Sequence, residues 1–189
     1  MISRSLVLGY HGCELAVARQ VISGKTELRP SANEYDWLGS GIYFWEDSPA
    51  RALCWAQDQA KQKTRKVMTP AVLGAIIDLG NCLNLIDAEH LRLVKAAHKA
   101  YLELCQVSGR KPLQNKGCGL RARFLDKAVF ETLHKLRQQE KKHCFDTVRA
   151  FFVEGEPLYE NAGLRAFDHV QICVRDPGKV IGYFAPRGV

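Results

Sequence analysis

The stretch Tyr35-Asp36-Trp37-Leu38-Gly39-Ser40-Gly41-Ile42-Tyr43-Phe44-Trp45 sets the reading of this chain. Two glycines one residue apart let the backbone pass close to a flat neighbour. The residues that follow, Ile42 to Trp45, read as a short aromatic strand. Ser48-Pro49 then opens a helix, with Ser at the N-cap and Pro at the first helical position, running to about Lys63. Upstream, residues 5–10 read as a strand that ends on Tyr10-His11-Gly12. Such an end offers one imidazole and one unhindered backbone amide. Glu14 to Ile22 carries apolar residues at helical spacing and stops at Gly24.

Further along, Ala71 to Leu79 is an apolar run of strand length ended by Gly80-Asn81. Asp87 is placed to cap a helix through about Cys105, and Phe124 to Lys142 reads as an amphipathic helix. Between them lies a basic loop, residues 106–123. Val148–Val153, Val170–Val174 and Val180–Phe184 read as strands, the last two divided by the turn Arg175-Asp176-Pro177-Gly178. The order predicts an α+β fold: one domain over 1–189, with a split, mostly antiparallel β-sheet and residues 87–145 as a helical excursion. The final strands are expected to return to the centre of the sheet.

A chain of 189 residues with 47 % hydrophobic content is enough for one domain with a real core. The apolar run at residues 1–8 is too short for a signal peptide, and no stretch reaches the roughly 20 apolar residues of a membrane span. Seven scattered cysteines without a CxxC pair argue against a zinc site and for reduced thiols in a cytoplasm. Cys13, beside His11, is either a nucleophile or a small packing residue. The net charge of +7 favours anionic partners, a phosphate-rich cofactor or a nucleic acid.

Tyr10-His11-Gly12, then Gly39-Ser40-Gly41-Ile42-Tyr43-Phe44, then the late strand around Gln171-Ile172-Cys173-Val174 resemble, in order and spacing, the diphtheria-toxin-type ADP-ribosyltransferases. Within these the likeness is to the poly(ADP-ribose) polymerase catalytic domain, in a compact bacterial-type form. It does not extend to residues 81–150. The resemblance implies an ADP-ribosyltransferase fold and NAD as ADP-ribose donor, and the sequence gives no reason to expect a metal. It implies that Gly12 clamps the nicotinamide carboxamide through its backbone and that His11 bonds the adenosine ribose. Tyr43 would lie against the nicotinamide ring, and Trp55 would close the other side. Gln171 stands where the family has its catalytic Glu, so chain elongation is not expected while transfer of a single ADP-ribose is. Either Gln171 serves by its dipole, or Glu154, Glu156 or Glu160 supplies the carboxylate, or the site is inactive.

Asn33, Tyr35, Asp36, Trp37 and Gly41 are expected to line the cleft, and Arg165 to meet a phosphate or the acceptor. The implied catalytic set is His11, Tyr43 and Gln171. The implied NAD-binding set is His11, Gly12, Tyr35, Gly41, Tyr43, Trp55 and Arg165. The leading expectation is a mono-ADP-ribosyltransferase acting on a macromolecule, with a nucleic acid such as RNA ahead of protein. The basic residues Arg110, Lys111, Lys116, Arg121, Arg123 and Lys127 are candidates to grip its phosphates. A toxin or defence role, with an antitoxin as partner, fits such single domains. The alternatives are an NAD glycohydrolase toxin and an inactive NAD- or ADP-ribose-binding module.

Overall fold

A computed structural model describes residues 5–62 and 67–188, without the side chain of Cys118. The expected end of the second helix at Lys63 lies outside the described residues. The elements, in order, are β1 (Leu6–Glu14), α1 (Leu15–Ile22), β2 (Ile42–Glu46), α2 (Pro49–Lys61), β3 (Pro70–Asp78), β4 (Cys82–Asn84), α3 (Ala88–Val107), α4 (Phe124–Gln139), β5 (Thr147–Phe152), β6 (His169–Val174) and β7 (Val180–Phe184). Short 3-10 turns occupy Cys118–Leu120 and Pro177–Lys179. Among the described residues no helix is long and apolar enough to cross a membrane.

The seven strands form one sheet in the order β4-β5-β6-β2-β1-β3-β7. Every neighbouring pair is antiparallel except β4 with β5. The fold is therefore α+β with a mostly antiparallel sheet. β1 pairs with β3 along its whole length, from Leu6 opposite Asp78 to Glu14 opposite Pro70. With β2 it pairs only where Gly9 and Tyr10 face Glu46 and Trp45. The sheet is thus continuous at one end of β1 and parted at the other, beyond Tyr10.

Helices cover both faces. On one, Ala18 and Val21 of α1 pack with Phe44, Leu73, Ile77 and Ile172. On the other, Ala97 of α3 and Val129, Phe130 and Leu133 of α4 pack with Leu83, Val148 and Cys173. Within residues 87–145, α3 and α4 thus cover one half of the sheet. α2 covers the remaining part through Ala52, which packs with Trp45 and Val72.

The helix ends explain where the sequence boundaries hold and where they slip. At the end of α1, Lys25 N–H donates to Gln20 O and Gly24 N–H to Val21 O, with Gly24 at φ +70°. This is a Schellman cap, and the glycine announces it. α3 starts on Asp87, whose carboxylate accepts from Glu89 N–H at 2.8 Å, and ends on Gly109 in the same cap. α4 ends alike, Lys142 N–H to Arg137 O, but its left-handed residue is Lys141 at φ +53°. A lysine gives no stop signal, so the sequence reading overran to Lys142.

Two other expectations change, and one strand had no expectation. Ser48 precedes α2 but its side chain makes no capping bond. The strand β4 is only three residues long, too short for an alternating pattern, yet Leu83 is fully buried beneath α3 and α4. Of the last strands, β5 and β6 do lie inside the sheet, but β7 sits at its far edge beside β3. β2 and β5 already occupy both sides of β6, and β3 offers the open edge.

Candidate functional site

The parted end of the sheet holds a cleft of about 490 Å³, within the range of small-molecule sites. Its walls come from segments far apart in the chain: His11 of β1; Arg29, Tyr35, Asp36, Trp37 and Gly41 of the connection to β2; Tyr43 and Trp45 of β2; Arg51 and Trp55 of α2; Glu154 after β5; His169 and Gln171 of β6. Ser31 and Asn33 also line it.

β2 and β6 set the side-chain order. Tyr43 lies opposite Cys173 and Trp45 opposite Gln171. Alternation along the strands therefore puts Tyr43, Trp45, His169 and Gln171 on one face. Phe44, Ile172 and Val174 take the other face and join the core with α1. The two glycines before β2 bring this wall close to its neighbours. A Cβ on Gly41 would stand 2.5 Å from Cys173 Sγ, and one on Gly39, at φ +87°, 2.7 Å from Arg175 Nη1.

The turn between them is held by an ion pair. Glu131 of α4 accepts from Ser40 N–H at 2.8 Å, and Arg175 donates to Ser40 O at 3.1 Å. The same arginine donates twice to Glu131, both at 3.1 Å. Burial alone would raise the Glu131 carboxyl, but Arg175 and the Ser40 N–H outweigh it and hold it down to about 2. Tyr43 is anchored in the same turn, its hydroxyl donating to Gly39 O at 2.6 Å and accepting from Leu38 N–H at 2.9 Å. Burial first, then the neighbouring Cys173 thiol, pushes this phenol upward, so it stays protonated.

His11 Nδ1–H donates to Tyr43 O at 2.7 Å, bridging the two parted strands. A carbonyl only accepts, so Nε2 keeps its lone pair free for a ligand hydroxyl. Burial lowers the His11 pKa, opposed by this hydrogen bond, and the imidazole is neutral at pH 7.

Gly12 is placed differently from its expected role. The side on which a Cβ would stand faces α2, at 2.2 Å from Ala52 O, so the residue is small to let helix and strand meet. Gly12 is not among the residues lining the cleft. Its backbone still points there: Leu8 O accepts from Asp47 N–H on the β2 side, and by alternation Gly12 N–H and C=O face that same side, where the sheet has parted.

The polar end of the cleft is built around Glu154. Arg51 Nη2 donates to its carboxylate at 2.7 Å, both side chains about 85 % covered at 14 % and 15 % exposure. Arg121 lies 3.8 Å away on the other carboxylate oxygen. Arg51 also stacks over Trp45 and Phe167, 5.5 and 4.8 Å from their ring centroids. His169 Nδ1–H donates to Phe167 O at 2.6 Å, and burial, the largest influence on it, lowers its pKa. Trp55 meets Trp45 at 5.9 Å between rings.

Buried polar atoms without a hydrogen-bond partner gather here. Among the described residues six such side-chain atoms occur, and four belong to cleft residues: Asp36 Oδ2, Trp45 Nε1, Arg51 Nε and His169 Nε2. Buried polar groups are ordinarily paired with protein or ordered water, so these four atoms are open to a partner from solvent or from a bound polar molecule.

The cleft therefore unites His11, Tyr35, Gly41, Tyr43, Trp55 and Gln171. Arg165 stands apart: it is exposed, its backbone N–H bonded to Asp168 and its guanidinium to Gly155 O. The cations of the cleft are Arg29 and Arg51 instead. Of the three candidate carboxylates Glu154 lines the cleft, whereas Glu156 and Glu160 are exposed outside its lining. Cys13 is buried among core residues, and burial pushes its thiol up to about 11, which makes it a packing residue. Arg51 and His169 were missed, though spacing pointed to both. Arg51 is four residues before Trp55 on α2, and His169 two before Gln171 on β6.

No family model matches the chain, and no solved structure matches it. The chain is similar to an uncharacterized protein of Methanocaldococcus jannaschii, 25 % identical over 193 aligned residues, which cover 90 % of this chain and 83 % of that protein.

Proposed function

We propose that the protein is an NAD-dependent mono-ADP-ribosyltransferase of the ADP-ribosyltransferase fold, releasing nicotinamide and passing one ADP-ribose to a macromolecular acceptor, a nucleic acid ahead of protein. One observation carries the reading. A single cleft gathers the histidine, the aromatic pair and the late-strand amide that the resemblance singles out, and it holds unpartnered polar atoms beside two arginines.

In this account nicotinamide lies against Tyr43, whose ring is fixed by the two hydrogen bonds of its hydroxyl. Gly12 offers N–H and C=O to the carboxamide from the parted edge of β1. Neutral His11 accepts a ribose hydroxyl at Nε2. Arg29 and Arg51 face the pyrophosphate charge. As the bond between ribose and nicotinamide breaks, its electron pair leaves with neutral nicotinamide and positive charge grows on the ribose. Glu154, which lines the cleft together with Asp36, faces that charge with its carboxylate, and Gln171 adds a dipole. Arg51 holds Glu154 in place while neutralising part of its charge, which suits slow single transfers rather than rapid turnover.

The test uses NAD labelled in the adenylate, incubated with the protein and a cell lysate. Label in nuclease-sensitive material is the expected result. Label in protein would move the acceptor to protein, and free ADP-ribose alone would make the enzyme a hydrolase. No nicotinamide released under any condition would overturn the enzymatic reading.

A further inference from the structure

Beside the NAD cleft lies a second cavity of about 430 Å³, between α3, α4 and the sheet, and Trp37 lines both. Of its lining residues only Trp37 also lines the first cleft. Nine of its thirteen lining residues are apolar, among them the aromatic rings of Trp37, Phe130 and Phe152. The other four are Lys95, His98, Arg123 and Asp126. Asp126 is occupied, accepting from Asn115 at 2.7 Å and from Arg123 at 3.3 Å. Lys95 is exposed and has no ion-pair partner among the described residues. The rim is therefore cationic.

The partition between the cavities is a stack. The Arg123 guanidinium lies 4.2 Å from the Trp37 ring centroid and 4.9 Å from that of Phe152, and the two rings meet edge to face at 4.8 Å. Trp37 Nε1 is tied to Arg121 O at 2.8 Å, so the partition is anchored to the basic loop. That loop carries Arg110, Lys111, Lys116 and Arg121, all exposed, and no Asp or Glu occurs between Glu103 and Asp126.

We propose that this second cavity is the acceptor site, and that it takes one nucleotide of a single-stranded nucleic acid. The base enters among the apolar and aromatic walls. Its phosphates meet Lys95 and the acid-free loop, which carries the strand onward. A flat π-face against aromatic side chains with cations along the backbone is the chemistry by which single strands are held. An apolar chain would fill the walls but has no use for the cationic track. The inference rests on the transferase reading, because only a second substrate gives the shared Trp37 partition its meaning.

The probes are a single-stranded oligoribonucleotide of about eight residues and the corresponding nucleoside monophosphate. Binding is measured by fluorescence anisotropy and calorimetry, with NAD binding measured in parallel. The oligomer is expected to bind at least tenfold more tightly than the monophosphate, and more weakly as salt rises. Val94→Trp, which fills the cavity, should weaken both probes at least tenfold while NAD binding and nicotinamide release into water stay within twofold. Lys95→Glu changes an exposed side chain, leaves folding intact, and should weaken the oligomer likewise.

Unchanged oligomer binding in Lys95→Glu, or in folded Val94→Trp, would overturn the proposal. So would equal affinity for oligomer and monophosphate, or loss of NAD binding in folded Val94→Trp, which would assign the cavity to the NAD site. Absence of NAD binding to the native protein would strike the transferase reading instead, whatever the oligomer does.

Discussion

Residues of the cleft carry roles that can be separated by substitution. Glu154→Gln removes the carboxylate but strands Arg51, and an unpaired buried charge costs about 3–5 kcal/mol. The variant should therefore lose both nicotinamide release and stability. The double variant Arg51→Gln with Glu154→Gln should regain much of the stability and none of the activity. Thermal denaturation and nicotinamide release, read on both proteins, decide this, and recovered activity in the double variant would remove Glu154 from the chemistry. Gln171→Glu should increase NAD hydrolysis, since on the proposed function it adds a carboxylate at the reacting ribose, and an unchanged rate would argue that Gln171 does not reach it. Gly12→Ala should cost about 1–3 kcal/mol, because its methyl group meets Ala52 O and α2 must move. His11, Tyr43 and Gln171 were legible only through the resemblance of their motifs, and the structure brings all three to one cleft. Gly12 was legible as a close approach but not which approach, because a sequence does not say on which side a Cβ is missing.

Elements were legible where their ends carry a chemical signal. α1 and α3 end on Gly24 and Gly109, and α3 begins on Asp87, so spacing and punctuation agree. α4 ends on Lys141 in the left-handed region, a conformation that costs an ordinary residue about 1 kcal/mol. Lys141→Gly is expected to relieve most of that and to raise the unfolding midpoint by about 2–4 °C. A lowered midpoint would show that Lys141 makes a compensating contact. β4 was not legible, because a three-residue strand is specified by what covers Leu83 rather than by its own pattern. Likewise Glu154 and Arg51 meet only because β5 lies beside β6 while α2 packs over β1 and β3, a tertiary arrangement with no local trace.

At the scale of the molecule, the parted sheet and the clamp across it share one dependence on pH. Burial lowers the pKa values of His11, His134 and His169, each from an ordinary 6.5. The unfolded chain binds their protons more readily than the native one, so their contribution is complete above about pH 6.5 and declines as pH falls below it. Glu131, held at about 2 against an ordinary 4.5, adds stability that is present above 4.5 and lost between 4.5 and 2. Discounted for solvent, that second loss is on the order of 2 kcal/mol. Unfolding midpoints should fall in two stages on acidification, and Glu131→Gln should flatten the lower one. A midpoint that does not change from pH 7 to pH 3 would contradict the buried neutral histidines and the Glu131–Arg175 clamp together.

The central claim is that the parted sheet binds and cleaves NAD, and nicotinamide release tests it most directly. Purified protein is incubated with NAD, with and without single-stranded RNA, and free nicotinamide is quantified by chromatography over time. Release that grows with time, is accelerated by RNA, and is lost by a factor of about 100 in Tyr43→Ala and His11→Ala proteins that remain folded is the predicted result. No nicotinamide from the native protein, or near-normal release from either variant, would contradict it.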